Sequence, residues 1–226
     1  MAAEMAPQSS AAIARHRVRN QIQELILSGG YPAGAKLRQL HLAEQFGVSQ
    51  AVVREALLEM QAIGLVRTID NRGMYVSELN AQKLIEALQV REMLEALAAR
   101  LCCGRVPHDQ ANALRIMAER IHDLGRRRHR DQAGVIDRDL HLQLVHLSGN
   151  TMLVRLSENY RVLGKVIRSQ LEPEAVYAGH LAIIDAIESV RPDAAEQAMR
   201  EHIRASRETV EREIATGIFV PHWIKE

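Results

Sequence analysis

Apolar residues recur at helical spacing through most of the chain. Val18, Ile22, Leu25 and Ile26 form a first stripe, which stops at Gly29-Gly30 and gives way to a loop, YPAGAK, punctuated by Pro and Gly. Leu40 and the run from Leu42 to Phe46 predict a short second helix, QLHLAEQF, closed by Gly47. Ser49 is placed to cap a third helix through its hydroxyl, with Val53, Ala56, Leu57, Met60 and Ile63 inward and Gly64 as terminator. Helix, tight turn, helix is the expected local order. The pattern then changes: Leu65 to Ile69 and Met74 to Val76 are rich in β-formers and flank the turn cluster Asp70-Asn71-Arg72-Gly73. A β-hairpin directly after the helical pair predicts a winged helix-turn-helix over residues 1–78.

Beyond that point only helical stripes remain. Leu84, Leu88, Leu94 and Leu101 form one, Leu114, Met117, Ile121 and Leu124 a second, and Ile136, Leu140, Leu144 and Leu147 a third. Leu153, Leu156, Tyr160, Leu163 and Ile167 give a fourth, Val176, Ile183, Ile184 and Ile187 a fifth, and Ala195, Met199, Ile203, Val210 and Ile214 a sixth. Gly, Pro or polar breaks separate them. A mostly α protein is expected, its second domain, residues 79–226, an antiparallel all-helical bundle of about six helices.

Composition supports this and narrows the chemistry. Aromatics make up only 3% of the 226 residues while 47% are hydrophobic, which favours helices packed on aliphatic side chains. The two cysteines, Cys102 and Cys103, are adjacent in an apolar helical stretch and read as buried reduced thiols rather than a disulfide framework. No stretch approaches a membrane span, and a cytoplasmic protein without membrane partners is expected. Net charge is only +1, so nucleic-acid binding must rest on local placement of Arg and Lys. In a winged helix-turn-helix one helix enters the major groove, and a hairpin tip carrying Arg72 and Gly73 can reach phosphate or the minor groove. A small helix-hairpin domain without a DNA role is the alternative. The Arg126 to Arg130 run, RRRHR, lies between two stripes and reads as a solvated connector.

The histidines carry the remaining chemistry. In DRDLHLQLVHLSGN, Asp137 and His141 are four residues apart and share one side of a helix. Either they satisfy each other, or they are two ligands of something larger. His16, His108, His122, His129 and His222 stand in polar or loop surroundings and are expected to be exposed. His180, in step with Val176, Ile183 and Ile187, and His202, beside Met199 and Ile203, should project into the bundle interior, where an unpaired imidazole is costly. Any one of these is more often a hydrogen-bonded core residue. Together, Asp137, His141, His180 and His202 make a three-His, one-carboxylate set suited to a divalent transition metal, Zn or Ni foremost, rather than Ca or Mg.

These residues carry a resemblance. AEQFGVSQAVVREALLEMQAIGLVRTIDNRGMYVS resembles the winged helix-turn-helix of the GntR superfamily of bacterial transcription regulators. DRDLH, with GHLAIIDAI and AMREHI downstream, is similar to the metal-binding helical effector domain of its FadR branch, called FCD. The likeness runs from about residue 13 to 214. It implies a homodimer that binds a palindromic operator and releases it when a small organic acid occupies the helical domain. It also implies that Ser49, Gln50, Ala51 and Arg54, with Arg72 and Gly73, face operator DNA. The chain departs from the pattern at Gln50, Ala51 and Val52, where the family usually has Arg, then Thr or Ser, then Pro, and at Leu40, where many relatives have a basic residue. Gln50 would suit adenine where Arg favours guanine.

A ligand-controlled repressor, not an enzyme, is therefore the expected function. A metal-dependent hydrolase is the competing reading, since His and Asp ligands with an open position can activate water. Against it, the bundle offers no obvious general base near the ligands. A purely structural metal site in a regulator is a third reading. Arg91, out of step with an apolar face, is the candidate to pair with an effector carboxylate, its alternative being a helix ion pair with Glu95.

Overall fold

The computed structural model of the protein describes residues 10–78, 81–164 and 171–217. It divides into two compact units at the boundary between Asn80 and Ala81.

In the first unit, α1 (Ser10–Leu27) buries Val18, Ile22 and Ile26 and packs on α3. A two-residue strand, β1 (Lys36–Leu37), follows where the sequence reads as loop; an element that short has no periodicity to read. α2 (Gln39–Phe46) ends at Gly47, whose φ of 62° puts it in the left-handed conformation that closes helices. α3 (Gln50–Ala62) starts at Ser49, whose hydroxyl accepts from the Val52 N–H at 3.4 Å. Its inward residues Val53, Ala56, Leu57 and Met60 are fully buried, whereas Ile63 sits half-buried at the helix end. β2 (Val66–Ile69) and β3 (Gly73–Val76) form the hairpin, and β1 joins the other side of β3, giving an antiparallel sheet of order β1-β3-β2. The register pairs Lys36 with Tyr75 and Thr68 with Met74. Asn71 at φ 58° and Gly73 at φ 98° make the wing turn, positions for which a short polar residue and glycine are suited.

The second unit holds six helices among the described residues: α4 (Ala81–Cys102), α5 (His108–Arg126), α6 (Arg130–Leu147), α7 (Thr151–Gly164), α8 (Pro173–Glu188) and α9 (Pro192–Ala215). Pro173 and Pro192 occupy first-turn positions, where a missing N–H costs nothing. Asn150 opens α7 by accepting from the Met152 and Leu153 N–H groups. α4 packs on α9, α8 on α9 and α5, and α6 on α5 and α4. Ala96, Ala99 and Cys102 of α4, Leu114 and Ala118 of α5, Leu140 and Leu144 of α6, Ile183 of α8 and Met199 of α9 share one apolar core.

Two stripe assignments need correction. Leu156 is exposed: α7 buries Leu153 and half-buries Val154, and Leu156 lies about 110° around the helix from the midpoint of that face. On α4 the buried seam is not purely apolar. Glu92 and Glu95 are buried in it, while Leu94 and Leu101 sit half-buried to one side against α7 and α6 residues. The side chains of Tyr160 and Leu163, with Ile167 and His222, lie outside the described residues.

Candidate functional site

The helical unit brings Asp137, His141, His180 and His202 together, with one potential ligand atom from each lying within 4.8 Å of all the others. Asp137 and His141 stand one turn apart on α6, His180 comes from α8 and His202 from α9. Asp137 Oδ1 is 3.2 Å from His180 Nε2 and 3.9 Å from His141 Nε2. The imidazole ring centroids are 4.5 Å apart for His180 and His202, 5.2 Å for His141 and His202, and 5.4 Å for His141 and His180. All three rings are buried, whereas the Asp137 side chain retains 28% exposure.

Close packing of α8 against α9 depends on Gly179. A Cβ at that position would lie 2.5 Å from His202 Nδ1, so only glycine lets the His202 ring lie against α8 beside His180. The quoted motif GHLAIIDAI begins with this glycine, but its role needs the partner helix to be visible.

The electrostatics suit a cation. Burial first, then the nearby His180 and His141, push the His202 pKa well below the usual histidine value, so its ring is neutral with a lone pair available at pH 7. Burial alone would raise the Asp137 carboxyl, but His141, His180 and His202 outweigh it and hold the group ionised, well below the ordinary carboxylate range. His141 Nε2 and His180 Nε2, the ring nitrogens that face Asp137, are buried and make no hydrogen bond of regular geometry among the described residues. A buried polar atom left unpaired costs about 1–3 kcal/mol, and a divalent cation would satisfy such nitrogens. Three imidazoles and one carboxylate therefore fit a first-row transition metal.

The outer face of this set holds a residue that sequence reasoning weighed only as a partner for Arg91. Glu95 Oε2 lies 2.6 Å from His141 Nδ1, and Glu95 Oε1 accepts from Arg91 Nε at 2.7 Å. The N–H of His141 points off the line of a regular hydrogen bond at this distance, so the contact is close but bent. Arg91 is mostly buried, its side chain 16% exposed, and its guanidinium faces Glu95. Burial opposes ionisation of Glu95, but Arg91 and His141 prevail and bring its pKa down to about 2.

His122 is not exposed as expected. It stacks on Tyr177 with ring centroids 4.8 Å apart, with Glu174 3.6 Å from its Nε2, because α5 packs against α8. His16, His108 and His129 are exposed as expected, and the Arg126 to Arg130 run is a solvent-facing connector. Cys102 is buried and Cys103 half-buried, and both are free thiols.

In the first unit Ser49, Gln50, Ala51 and Arg54 are all exposed around the start of α3, and Arg72 and Gly73 are exposed at the wing tip. Neighbouring acids on α3 are engaged elsewhere: Glu55 and Glu59 pair with Arg15 and Arg19 of α1. Arg54, about 100° around the helix from Glu55, has no ion-pair partner among the described residues. β1 adds a cation that the sequence reading missed, Lys36, which sits 5.7 Å from the Tyr75 ring centre beside the wing.

An exposed helix start and a wing tip carrying Arg72, followed along the chain by a helical unit, are the parts expected of a DNA-binding transcription regulator. The chain belongs to the GntR family of such regulators: residues 14–76 match the bacterial regulatory proteins of the gntR family, and residues 86–205 match the FCD domain. It is 28% identical over 205 residues to the probable D-xylose utilization operon transcriptional repressor of Paenarthrobacter nicotinovorans, covering 87% of this chain and 90% of that one. It is 23% identical over 198 residues to the HTH-type transcriptional repressor RspR of Escherichia coli, covering 85% of each. Among solved structures, E. coli McbR/YncC shares the fold with a TM-score of 0.70 at 19% identity, over 89% of this chain and 98% of that one. Nothing in these likenesses supports the hydrolase reading. No described helix is long and apolar enough to cross a membrane.

Proposed function

We propose that this regulator is a homodimeric repressor whose grip on operator DNA is controlled by a small organic acid bound beside a divalent transition metal, Zn or Ni, in its helical unit. The observation that carries the reading is the convergence of Asp137, His141, His180 and His202 with buried ring nitrogens left unpaired. When bound, such a metal supplies a Lewis-acid point to which a carboxylate oxygen attaches. The four side chains would hold it, and Asp137, 28% exposed where the three imidazoles are buried, is the member of the set nearest to solvent. That exposure favours an effector site over a metal with a structural role alone. Arg91, beside the site, contributes positive charge toward an effector carboxylate while paired with Glu95.

Operator binding is assigned to Ser49, Gln50, Ala51 and Arg54 at the start of α3 and to Arg72 and Gly73 at the wing. The acid must prefer one arrangement of the dimer to alter DNA affinity, and a coupling of about 1–3 kcal/mol gives roughly 5- to 150-fold control. Calorimetric titration of organic acids, with and without operator and with and without chelator, tests the whole reading. Linkage requires operator and acid to change each other's affinity by the same factor, and acid binding that survives complete metal removal unchanged would sink the metal-centred mechanism.

A further inference from the structure

α4 contributes no member of the four-residue cluster, yet it presents two buried charges to it. Glu95 uses its two oxygens on different partners, Oε1 on Arg91 Nε at 2.7 Å and Oε2 on His141 Nδ1 at 2.6 Å. On the far side of the same ring, His141 Nε2 faces Asp137 at 3.9 Å and has no hydrogen-bond partner among the described residues. A neutral imidazole carries one proton on one of its two nitrogens. A carboxylate against Nδ1 holds the proton there, and Nε2 is left as a bare lone pair facing Asp137 and the other two rings.

We infer that Glu95 is a positioning residue for the metal site: with Arg91 fixing its orientation, it sets the tautomer and ring angle of His141 so that Nε2 faces the metal. The inference rests on the metal reading above for its consequence, though not for the tautomer itself. Carboxylate partners of this kind also raise the basicity of the ligating nitrogen, and their loss weakens metal binding by about tenfold to hundredfold. The i, i+4 spacing of Arg91 and Glu95 makes the pair look like an ordinary helix ion pair in sequence. Its burial against α6 gives it the second role.

The test compares the full-length protein with Glu95→Gln, which keeps the shape but loses the charge, and with the double variant Arg91→Met plus Glu95→Gln, which leaves no buried unpaired guanidinium. Glu92→Gln is the control: Glu92 is buried on the same helix but pairs with Arg204 of α9 at 2.8 Å and with no histidine among the described residues. Long-range nitrogen-proton NMR of the metal-free proteins reads the His141 tautomer, and competition titration with zinc reads affinity. The expected result is a proton on Nδ1 in the wild type and in Glu92→Gln. In both Glu95 variants the Nδ1 proton signal shifts or exchanges with an Nε2–H form, and zinc binds about tenfold to hundredfold more weakly. A wild-type proton on Nε2, or a wild-type spectrum and zinc affinity in both Glu95 variants, overturns the inference. Failure of the wild type to bind zinc or nickel would instead refute the metal reading, and the metal-free spectra would still decide what Glu95 does.

Discussion

The two units handle polar groups in opposite ways. Among the described residues of the winged unit the buried side chains are almost all apolar, with Gln23 and Ser77 the buried polar ones, and the residues assigned to DNA stand in solvent. In the helical unit Glu92, Glu95, His141, His180, His202 and Glu213 are buried among the aliphatic core residues. A surface that meets a highly charged polymer needs only a rigid scaffold behind it. A site that discriminates a small ligand needs its polar groups desolvated and held by neighbours, which ties function to stability. Substitutions should therefore separate binding from folding in the first unit and merge them in the second.

The largest effect is expected at His180, the most deeply buried of the three imidazoles. His180→Ala should abolish stoichiometric metal and lower stability by about 2–5 kcal/mol, from the cavity and the lost metal-linked folding energy. Elemental analysis and urea unfolding with and without chelator check this. Chelator should destabilise the wild type and leave the variant unchanged; an equal shift in both would break the link between site and core.

Gly179→Ala asks the same question without removing a polar group. The added methyl meets His202, so overpacking should cost about 1–3 kcal/mol, and metal content should fall because the ring is displaced. Normal metal content at reduced stability would show that His202 can relocate without loss of the site.

In the winged unit the expected pattern reverses. Gln50→Ala should change base preference by about 1–3 kcal/mol at one operator position, and Arg54→Ala or Arg72→Ala should weaken binding to all sequences and reduce the salt dependence by about one ion each. None should move thermal stability by more than about 0.5 kcal/mol, because all three side chains are exposed and lack ion-pair partners among the described residues. A melting shift as large as that of Gly179→Ala would erase the contrast between the units.

What the sequence made legible divides along another line, local spacing against tertiary packing. The α2 bounds, the Ser49 cap, the wing turn and the six-helix second unit were readable because each is fixed by residues a few positions apart. The convergence of Asp137, His141, His180 and His202 was readable because each histidine interrupts an apolar stripe, and such stripes share an interior. The Arg91–Glu95 pair was readable from its i, i+4 spacing, but the contact of Glu95 with His141, the need for Gly179 and the stacking of His122 were not. Each depends on which helix packs opposite, and no local spacing on α4, α8 or α5 encodes that choice. β1 was missed for the complementary reason: Lys36 and Leu37 form a strand only because β3 is there to pair with them.

The smallest expected effect offers a way to watch the helical unit alone, because both cysteines of the chain lie within it. Cys102 is buried at the end of α4 and its thiol donates to the Leu144 carbonyl at 3.2 Å. Burial, with a further push from Cys103, raises its pKa to about 12, so at pH 7 only about one thiol in 10⁵ is ionised and able to react. Cys103 is half-buried and shifted in the same direction, chiefly by burial. A disulfide-exchange reagent should therefore leave Cys102 unlabelled in the folded, metal-loaded protein and modify Cys103 slowly. Raising the pH toward 9 should speed Cys103, while Cys102 remains unlabelled because its burial keeps the reagent away. Chelator should release Cys102 labelling by permitting local opening of the bundle, with no change in the first unit's melting signal. Labelling of Cys102 at the same rate with and without chelator would mean that the site does not hold these helices together, and the coupling of function to stability in this unit would fail at its simplest test.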